Sequence, residues 1–414
     1  MKKLATCFSL CLAFGLSAQW TALPLKNLQL HKCWAVSPDT VVITGGNGKI
    51  YRSFDGGQTF DSTATIFNFG EWFNDLQFPS PNKGYVCGGT AFGNHLNFLA
   101  STSDAGQTWD SLTSNQFTGY NFRQLHFAND SVGFIVGEYD LLLKTTNGGK
   151  NLTQISHPLQ DQVNAVYMQS EDTVFLSTYE LNISGVSYYR IFKSVNQGTS
   201  WTKVYQDTTN GNGFGKVKHI NNFYFTDAQN GYACGNNGLI LSTTDGGNNW
   251  VQQQLNNDTT FFTEIFFLRN GIGYVYGQFA YGGAARPLQS TSTNGVNWHA
   301  SPYAFSNISF ANDSVGYALL DGRVYKTTNG GNIGLLEKRV ATTISIYPNP
   351  TTDFIWIANT SSKNGIIQLY DATGQLVHEE NLYQTKQKIR LNHLSKGVYF
   401  LKINQAKMEV LVKK

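Results

Sequence analysis

The sequence predicts an all-β protein, a seven-bladed β-propeller followed by a small β-sandwich. Three observations carry that reading. A short turn sequence recurs seven times, each copy closes a unit of four short strand-like segments, and the repeat gives way near residue 337 to a different β pattern.

The turn first reads Ser53-Phe54-Asp55-Gly56-Gly57-Gln58-Thr59-Phe60, then Thr102-Ser103-Asp104-Ala105-Gly106-Gln107-Thr108-Trp109. Its third position falls at Asp55, Asp104, Asn147, Asn196, Asp245, Thr293 and Asn329, at intervals of 49, 43, 49, 49, 48 and 36 residues. One β-rich unit per forty-odd residues is a propeller signature. Within the turn, Asp or Asn can accept hydrogen bonds from the backbone two residues on, and Gly supplies a positive φ. The aromatic residue that follows is expected to begin the next strand and pack between blades. Asp55, Asp104, Asn147, Asn196, Asp245 and Asn329 are therefore read as structural staples rather than catalysts.

Each unit opens on an apolar alternation such as Leu125-His126-Phe127 or Phe223-Tyr224-Phe225. A polar turn leads to a Gly-aromatic strand, for example Gly84-Tyr85-Val86-Cys87-Gly88 or Gly231-Tyr232-Ala233-Cys234-Gly235. A third strand enters the recurring turn, and a fourth begins at its Trp or Phe. Four strands of this length fit one antiparallel blade. The last copy has Gly334 where others have an aromatic, while Trp20-Thr21-Ala22-Leu23 looks like Trp201-Thr202-Lys203-Val204. Trp20–Leu23 is thus expected to be the outer strand of blade seven, paired with Arg323–Thr327, in preference to residues 334–338.

Residues 1–18 read as a secretory signal peptide: two lysines, an apolar stretch from Leu4 to Leu16, and small residues before Gln19. Cys7 and Cys11 are poorly placed for a lipobox. Residues 19–337 are assigned to the propeller, 338–343 to a linker and 344–414 to the second domain. No other apolar run is long enough to span a bilayer, so no transmembrane segment is expected in the mature chain. A net charge of +3 gives no case for nucleic acid. Cys87 and Cys234 hold equivalent places in different units and are read, with no disulfide, as small buried hydrophobes. There is no metal-ligand spacing, and no cofactor is expected.

The second domain opens on Tyr347-Pro348-Asn349-Pro350, continues through Leu369-Tyr370-Asp371-Ala372-Thr373-Gly374 and Lys396-Gly397-Val398-Tyr399, and ends on Lys413-Lys414. Its alternation predicts a sandwich interior of Ile355, Ile357, Leu369, Val398 and Phe400.

The recurring turn resembles the Asp-box of the BNR/sialidase-type propellers. The fuller unit, a Gly-Tyr-x-x-Gly strand followed by Thr-Thr-Asp-Gly-Gly-x-x-Trp, is most similar to the photosystem II assembly factor propellers over roughly residues 20–337. In those families the boxes lie away from the active or binding face. The second domain resembles the type A C-terminal sorting domain of the Bacteroidetes type IX secretion system, through Tyr347, Pro348, Asn349, Pro350, Gly397, Lys413 and Lys414. That resemblance implies an Ig-like sandwich, the type IX secretion machinery as a partner, and a secreted or surface-attached product.

In a four-stranded blade, the inter-blade connections share one rim with the connections between strands two and three. The box hairpins occupy the other rim. Long second-to-third connections are read at Gly88–Phe98, Tyr179–Tyr189 and Gly277–Pro287. With the inter-blade loops they would place Trp72, Phe92, His95, Tyr120, Tyr179, Tyr188, Tyr189, Phe279, Tyr281 and Arg286 on a binding rim suited to a glycan or a protein. Arg52, Lys144, Lys193 and Lys326 each precede a box and are read as a solvated strand face, the alternative being a ligand-binding ring. Sialidase chemistry would need three converging arginines, but the Arg-Ile-Pro opening of that family is absent. Glycosidase chemistry would need two facing carboxylates among Glu71, Asp75, Glu138, Asp140, Glu180 and Glu264, which sequence cannot pair. The expectation is a monomeric, non-catalytic binding module, with a glycoside hydrolase or lyase as the alternative.

Overall fold

The computed structural model describes residues 20–331 and 345–414, apart from 27, 64–70, 91–96, 113–116, 118, 158–160, 181–185, 211–217, 254–259, 280–287, 292, 302–303, 359–364, 383–385 and 404–408. The chain divides into two compact units, Met1–Ile333 and Gly334–Lys414.

The first unit is seven four-stranded antiparallel sheets. Blade one runs from inner to outer edge as Leu30–Ala35, Val41–Gly45, Ile50–Ser53 and Asp61–Ser62, and blades two to six repeat that order along the chain. The second strand is the deepest, wholly buried in Val41–Gly45, Gly133–Gly137 and Gly231–Gly235. Its opening glycine has a packing cause. A Cβ on Gly84, Gly133, Gly231 or Gly273 would lie within 2.6 Å of the ring of Phe78, Phe127, Phe225 or Phe267, which closes the preceding strand of the same blade. Aromatic rings then join neighbouring blades, as where Phe175 of blade four meets Trp250 at 6.1 Å and Phe225 at 4.8 Å, both of blade five. Cys87 and Cys234 are buried free thiols, consistent with their reading as hydrophobes, and Cys33, for which the sequence gives no reading, is buried and free as well.

The ring closes as expected. Blade seven comprises Asn307–Phe310, Gly316–Leu320 and Arg323–Thr327, completed by Thr21–Ala22 through Thr21↔Lys326 and Ala22↔Tyr325. Trp20 sits against Gly331, where an added Cβ would be 2.6 Å from its ring, and against Phe305 at 4.8 Å. Trp201 holds the same relation to Gly198. The competing segment, 334–338, lies outside the described residues.

The box turns are hydrogen-bonded cages. The Ser53 hydroxyl accepts the Gly57 N–H at 2.8 Å and donates to Asp55 Oδ1 at 2.8 Å. Asp55 in turn accepts from Gln58 and Thr59, three and four residues on, farther than the two expected. Asn147 and Asn196 do the same for Asn151 and Ser200 at 2.9 Å. The turn then bonds to the hairpin between strands one and two of its own blade, as in Gly56 N–H to Asp39 O at 2.9 Å and Gly246 N–H to Gln229 O at 2.8 Å.

The basic residues before the boxes are neither a solvated face nor a ligand ring. Each donates to a backbone carbonyl in the next blade's box: Arg52 to Gly106, Lys144 to Gln197, Lys193 to Gly246 and Lys326 to Gly56, at 2.8–3.1 Å. The last of these ties blade seven to blade one. They are inter-blade ties.

The second unit is a sandwich of a three-stranded and a four-stranded sheet around Ile355, Ile357, Ile367, Leu369, Ile389, Leu391, Tyr399, Leu401 and Leu411. The expected inward pair Val398 and Phe400 is corrected by one register step. Val398 is 45% exposed, and Tyr399 and Leu401 face the core. In a strand apolar at every position from Val398 to Leu401, period-two reading alone cannot choose a face.

Candidate functional site

The inner strands line a central channel of about 620 Å³. In six of them the pairing register slips near the strand start, at His31, Asn74, Arg123, Asn164, Asn221 and Thr263. Each slip is a β-bulge that re-aims a side chain. The strands start at the rim where the blades connect, so the bulges form a polar mouth on that side. Farther in, the lining turns aromatic with Trp34, Tyr167, Tyr224, Phe266 and Phe310.

Much of this polarity is structural. Each inner strand presents a bare backbone edge to the preceding blade, and channel side chains cap it. Asn74 donates to Phe122 O at 2.7 Å, Asp75 accepts Leu125 N–H at 3.0 Å, and Gln124 accepts Val166 N–H at 2.9 Å. His126 Nδ1 accepts Met168 N–H at 3.1 Å, and burial holds its pKa down at about 4, so it stays a neutral acceptor. Asn164 and Asn221 donate to Ile220 O and Phe262 O at 2.7 Å. Asn307 accepts Cys33 N–H at 2.8 Å.

What remains is a small set at the mouth. Lys32 is bonded to Glu264 and lies 3.8 Å from Asp75. Glu264 also accepts from Tyr276 and from Asn307. Burial pushes the Asp75 carboxyl up, against the pull of Lys32. Arg123 is exposed and makes no hydrogen bond or ion pair with the described residues. Trp72, at the head of the strand carrying Asp75, is 45% exposed and stacks on His31, with ring centres 4.9 Å apart and planes 10° apart. Tyr179 stacks in the same way on His219 at 3.8 Å. Burial and then the nearby Arg123 charge lower His219 to a pKa of about 4.

The other sequence-selected residues fall differently. Tyr120 meets Tyr139 edge-on at 5.8 Å, and Tyr139 is 55% exposed. Tyr188 lies under the Arg190 guanidinium at 4.8 Å. Tyr189 is fully buried, its hydroxyl donating to Asp207 at 2.8 Å, so it supports blade four from within. The stretch Tyr179–Tyr189 was expected as a loop, but Tyr179↔Tyr189 and Glu180↔Tyr188 pair, lengthening the hairpin. Phe279 lies in the strand Gly273–Phe279. Phe92, His95, Tyr281 and Arg286 lie outside the described residues. Arginines do not converge among the described residues. Arg123 stands at the mouth, Arg190 is engaged by Asp161 at 2.6 Å and Glu180 at 2.9 Å, and Arg269 follows the far end of its inner strand.

The bulge ring was missed in the sequence, although a signal was there. Phe73-Asn74-Asp75-Leu76, Phe122-Arg123-Gln124-Leu125 and Phe262-Thr263-Glu264-Ile265 each put two polar residues between apolar ones, breaking period two where a bulge restores it.

In the second unit, motif parts spread over the whole domain meet. Asn349 accepts Val412 N–H at 2.9 Å, Thr351 N–H bonds Val412 O at 2.9 Å, and Lys414 N–H bonds Thr351 O at 2.8 Å. Gly397 pairs with Lys413. The Lys413 ammonium is buried and donates to the carbonyls of Leu391, at 2.5 Å, and Leu394. Lys414 is exposed, as are Tyr347, Pro348 and Pro350, and the peptide bonds before both prolines are cis.

Fold and site define a seven-bladed Asp-box propeller joined to an Ig-like sandwich. Residues 345–414 match the secretion system C-terminal sorting domain, and residues 89–222 match the photosynthesis system II assembly factor YCF48 family. The propeller is thus similar to the photosystem II assembly factors, and the sorting domain marks the chain for type IX secretion to the outer surface or beyond. Solved structures of the same fold include YCF48 bound to a D1 peptide, with 17% identity, a TM-score of 0.54, and coverage of 75% of this chain and 97% of that one. YCF48 from Cyanidioschyzon merolae gives 13%, 0.52, 75% and 99%. Virginiamycin B lyase from Staphylococcus aureus gives 11%, 0.55, 75% and 98%. Beta-agarase A from Zobellia galactanivorans is 37% identical over 93 residues, which are 21% of this chain and 17% of the agarase. No helix among the described residues is long and apolar enough to cross a membrane. No group of three or more His, Cys, Asp or Glu among them could hold a metal ion.

Proposed function

We propose that the exported propeller is a non-catalytic binding module that takes a glycan or a polypeptide at the bulge-lined mouth of its channel. The observation that carries this is the contrast within the mouth. Most polar side chains there cap backbone edges, while the Arg123 guanidinium bonds none of the described residues and Trp72, stacked on His31 on one side, is 45% exposed. An exposed indole with an unbonded planar donor suits the face of a sugar ring or the backbone and carboxylates of a peptide. The D1 peptide in one YCF48 structure and the partial likeness to a beta-agarase are reasons to include peptides and agar-type polysaccharides among the probes. Glycan arrays and pull-downs with the exported chain are expected to give a ligand whose binding falls on the order of tenfold in Arg123→Ala and Trp72→Ala. A ligand indifferent to both changes would place recognition elsewhere.

The enzymatic alternative rests on Asp75 and Glu264, two carboxylates on either side of Lys32. Lys32 and the Tyr276 and Asn307 bonds hold Glu264 as an ion-paired acceptor, which argues for structure. Polysaccharide cleavage lost in Asp75→Asn or Glu264→Gln would overturn the non-catalytic reading.

A further inference from the structure

The outer face of the three-stranded sheet in the second unit carries a single sign of charge. Ile355, Ile357 and Ile389 point into the sandwich core, so strand alternation turns Phe354, Trp356, Lys386, Lys388 and Arg390 outward. Tyr347 joins them, since it pairs with Trp356. Across the other ladder, Phe354 lies opposite Arg390 and Trp356 opposite Lys388. Lys386, Lys388 and Arg390 are exposed, Tyr347 is 40% exposed, and Phe354 and Trp356 are half-buried.

None of the three strands, Ser345–Tyr347, Phe354–Ala358 and Lys386–Arg390, contains an aspartate or glutamate. Among the described residues the three cationic side chains make no hydrogen bond or ion pair, even with Asp353 just ahead of the middle strand. Two of them stand over aromatic rings instead. The Lys386 ammonium is 4.9 Å from the centre of Trp356 and 5.6 Å from that of Tyr347, and Lys388 is 3.7 Å from that of Phe354. Such contacts place a cation without cancelling its charge. The outer face of the four-stranded sheet, by contrast, mixes signs, with Glu379 and Lys402 on either side of Gln368. Nine Lys and Arg against five Asp and Glu put residues 344–414 at +4, more than the +3 of the whole chain.

We propose that this face binds an acidic polysaccharide, a chain bearing sulfate or uronate groups, laid along the strand Lys386–Arg390. Charge complementarity names the sign of the partner, and spacing names its shape. Same-face side chains recur about every 6.5–7 Å along a strand, so the cations form a row rather than a cluster. A row suits a linear polyanion better than a single phosphate. The rings argue against a bilayer, because Trp356 and Phe354 lie under ammonium groups instead of protruding as apolar anchors. The exposed Tyr347 ring adds a flat surface for a sugar face. This site is separate from the channel mouth and does not depend on it.

The full exported chain, sorting domain included, is to be titrated over immobilised dextran sulfate and polygalacturonate, with uncharged dextran as the blank. Capture by the acidic chains that fades as salt is raised is expected, since exposed charges are screened. The variant Lys386→Gln/Lys388→Gln/Arg390→Gln is expected to raise the Kd on the order of tenfold or more. Lys49→Gln/Lys150→Gln/Lys203→Gln removes the same charge from exposed positions of the propeller and should leave the Kd nearly unchanged. Melting curves accompany both, and Lys386→Gln alone, with a smaller loss, decides if the triple variant melts early. No capture by either acidic chain, or equal losses in the two triple variants, overturns the proposal. Equally tight capture of phosphatidylglycerol vesicles or polyglutamate through the same three residues overturns the choice of ligand and assigns the face to a membrane or an acidic protein segment.

Discussion

The box turns and the channel mouth draw on the same side chains, Asp, Asn and Thr, to opposite effect. In the turns the first-position Ser or Thr and the third-position Asp or Asn bond within their own hairpin: Thr102 and Asp104 bond each other at 2.7 Å, and Thr108 donates its N–H to Asp104 at 2.8 Å. At the mouth the bonds cross between blades, as from Asn74 to Phe122 or from Asp75 to Leu125. The turn is a local cage that repeats because its chemistry is complete within a few residues. The mouth is assembled from seven distant segments, and among the described residues it leaves Arg123 unbonded and Trp72 exposed, the two groups on which the proposed recognition rests. A polar residue's type says little until its partner is known.

That comparison can be broken from the turn side first. Trp20→Ala removes the buried ring that completes blade seven and is expected to cost about 3–5 kcal/mol in urea unfolding. A loss well below 1 kcal/mol would mean that the ring does not depend on its N-terminal strap. Thr243→Val comes next. It strips the acceptor of the buried Gly247 N–H and one donor to Asp245, for about 1–3 kcal/mol by the same measurement.

Acid should weaken the turns selectively. Bonds from the Asn249 side chain and backbone, then from Thr243, hold the Asp245 carboxylate down to about 2 from its usual 3.8, and Asp55 is lowered by Thr59 in the same way. A carboxylate depressed in the folded state contributes stability that is complete above its unfolded pKa and is lost as pH falls through the folded one. Stability should therefore hold above about pH 4 and decline towards pH 2. Asp245→Asn keeps the acceptor without the proton, as Asn147 and Asn196 do, and should flatten that decline. An identical acid profile for wild type and Asp245→Asn would remove the turns from the explanation.

The smallest effects on stability belong to the mouth. Arg123→Ala and Trp72→Ala lie on exposed groups and are expected to shift unfolding by about 0.5 kcal/mol or less, while weakening ligand capture. A large loss of stability in Arg123→Ala would show that the residue is structural after all.

Blade number and ring closure were legible because each rests on local chemistry. The box turn needs only Thr or Ser, Asp or Asn, and Gly at fixed offsets, and a missing aromatic after Asn329 is answered by Trp20. The site was legible only in part. Trp72 and Tyr179 were picked out by type and place, and both lie on histidine rings at that rim. Tyr189 was picked on the same grounds and is buried, because strand alternation continues through what looked like a loop. Lys193 and Lys326 looked solvated, yet the next blade's carbonyls lie within reach, a relation no single repeat contains.

By itself the sequence determined the repeat, the count of seven, the closing strap and the sorting domain at the end of the chain, since each follows from short-range patterns of turn, strand and motif. Only the tertiary structure decided which polar groups are engaged and which are left over. Lys32 meets Glu264 across 232 residues, and Cys33 N–H meets Asn307 across 274. Contacts of that span are set by how the blades are arrayed around the channel, and that array appears only when the ring is closed.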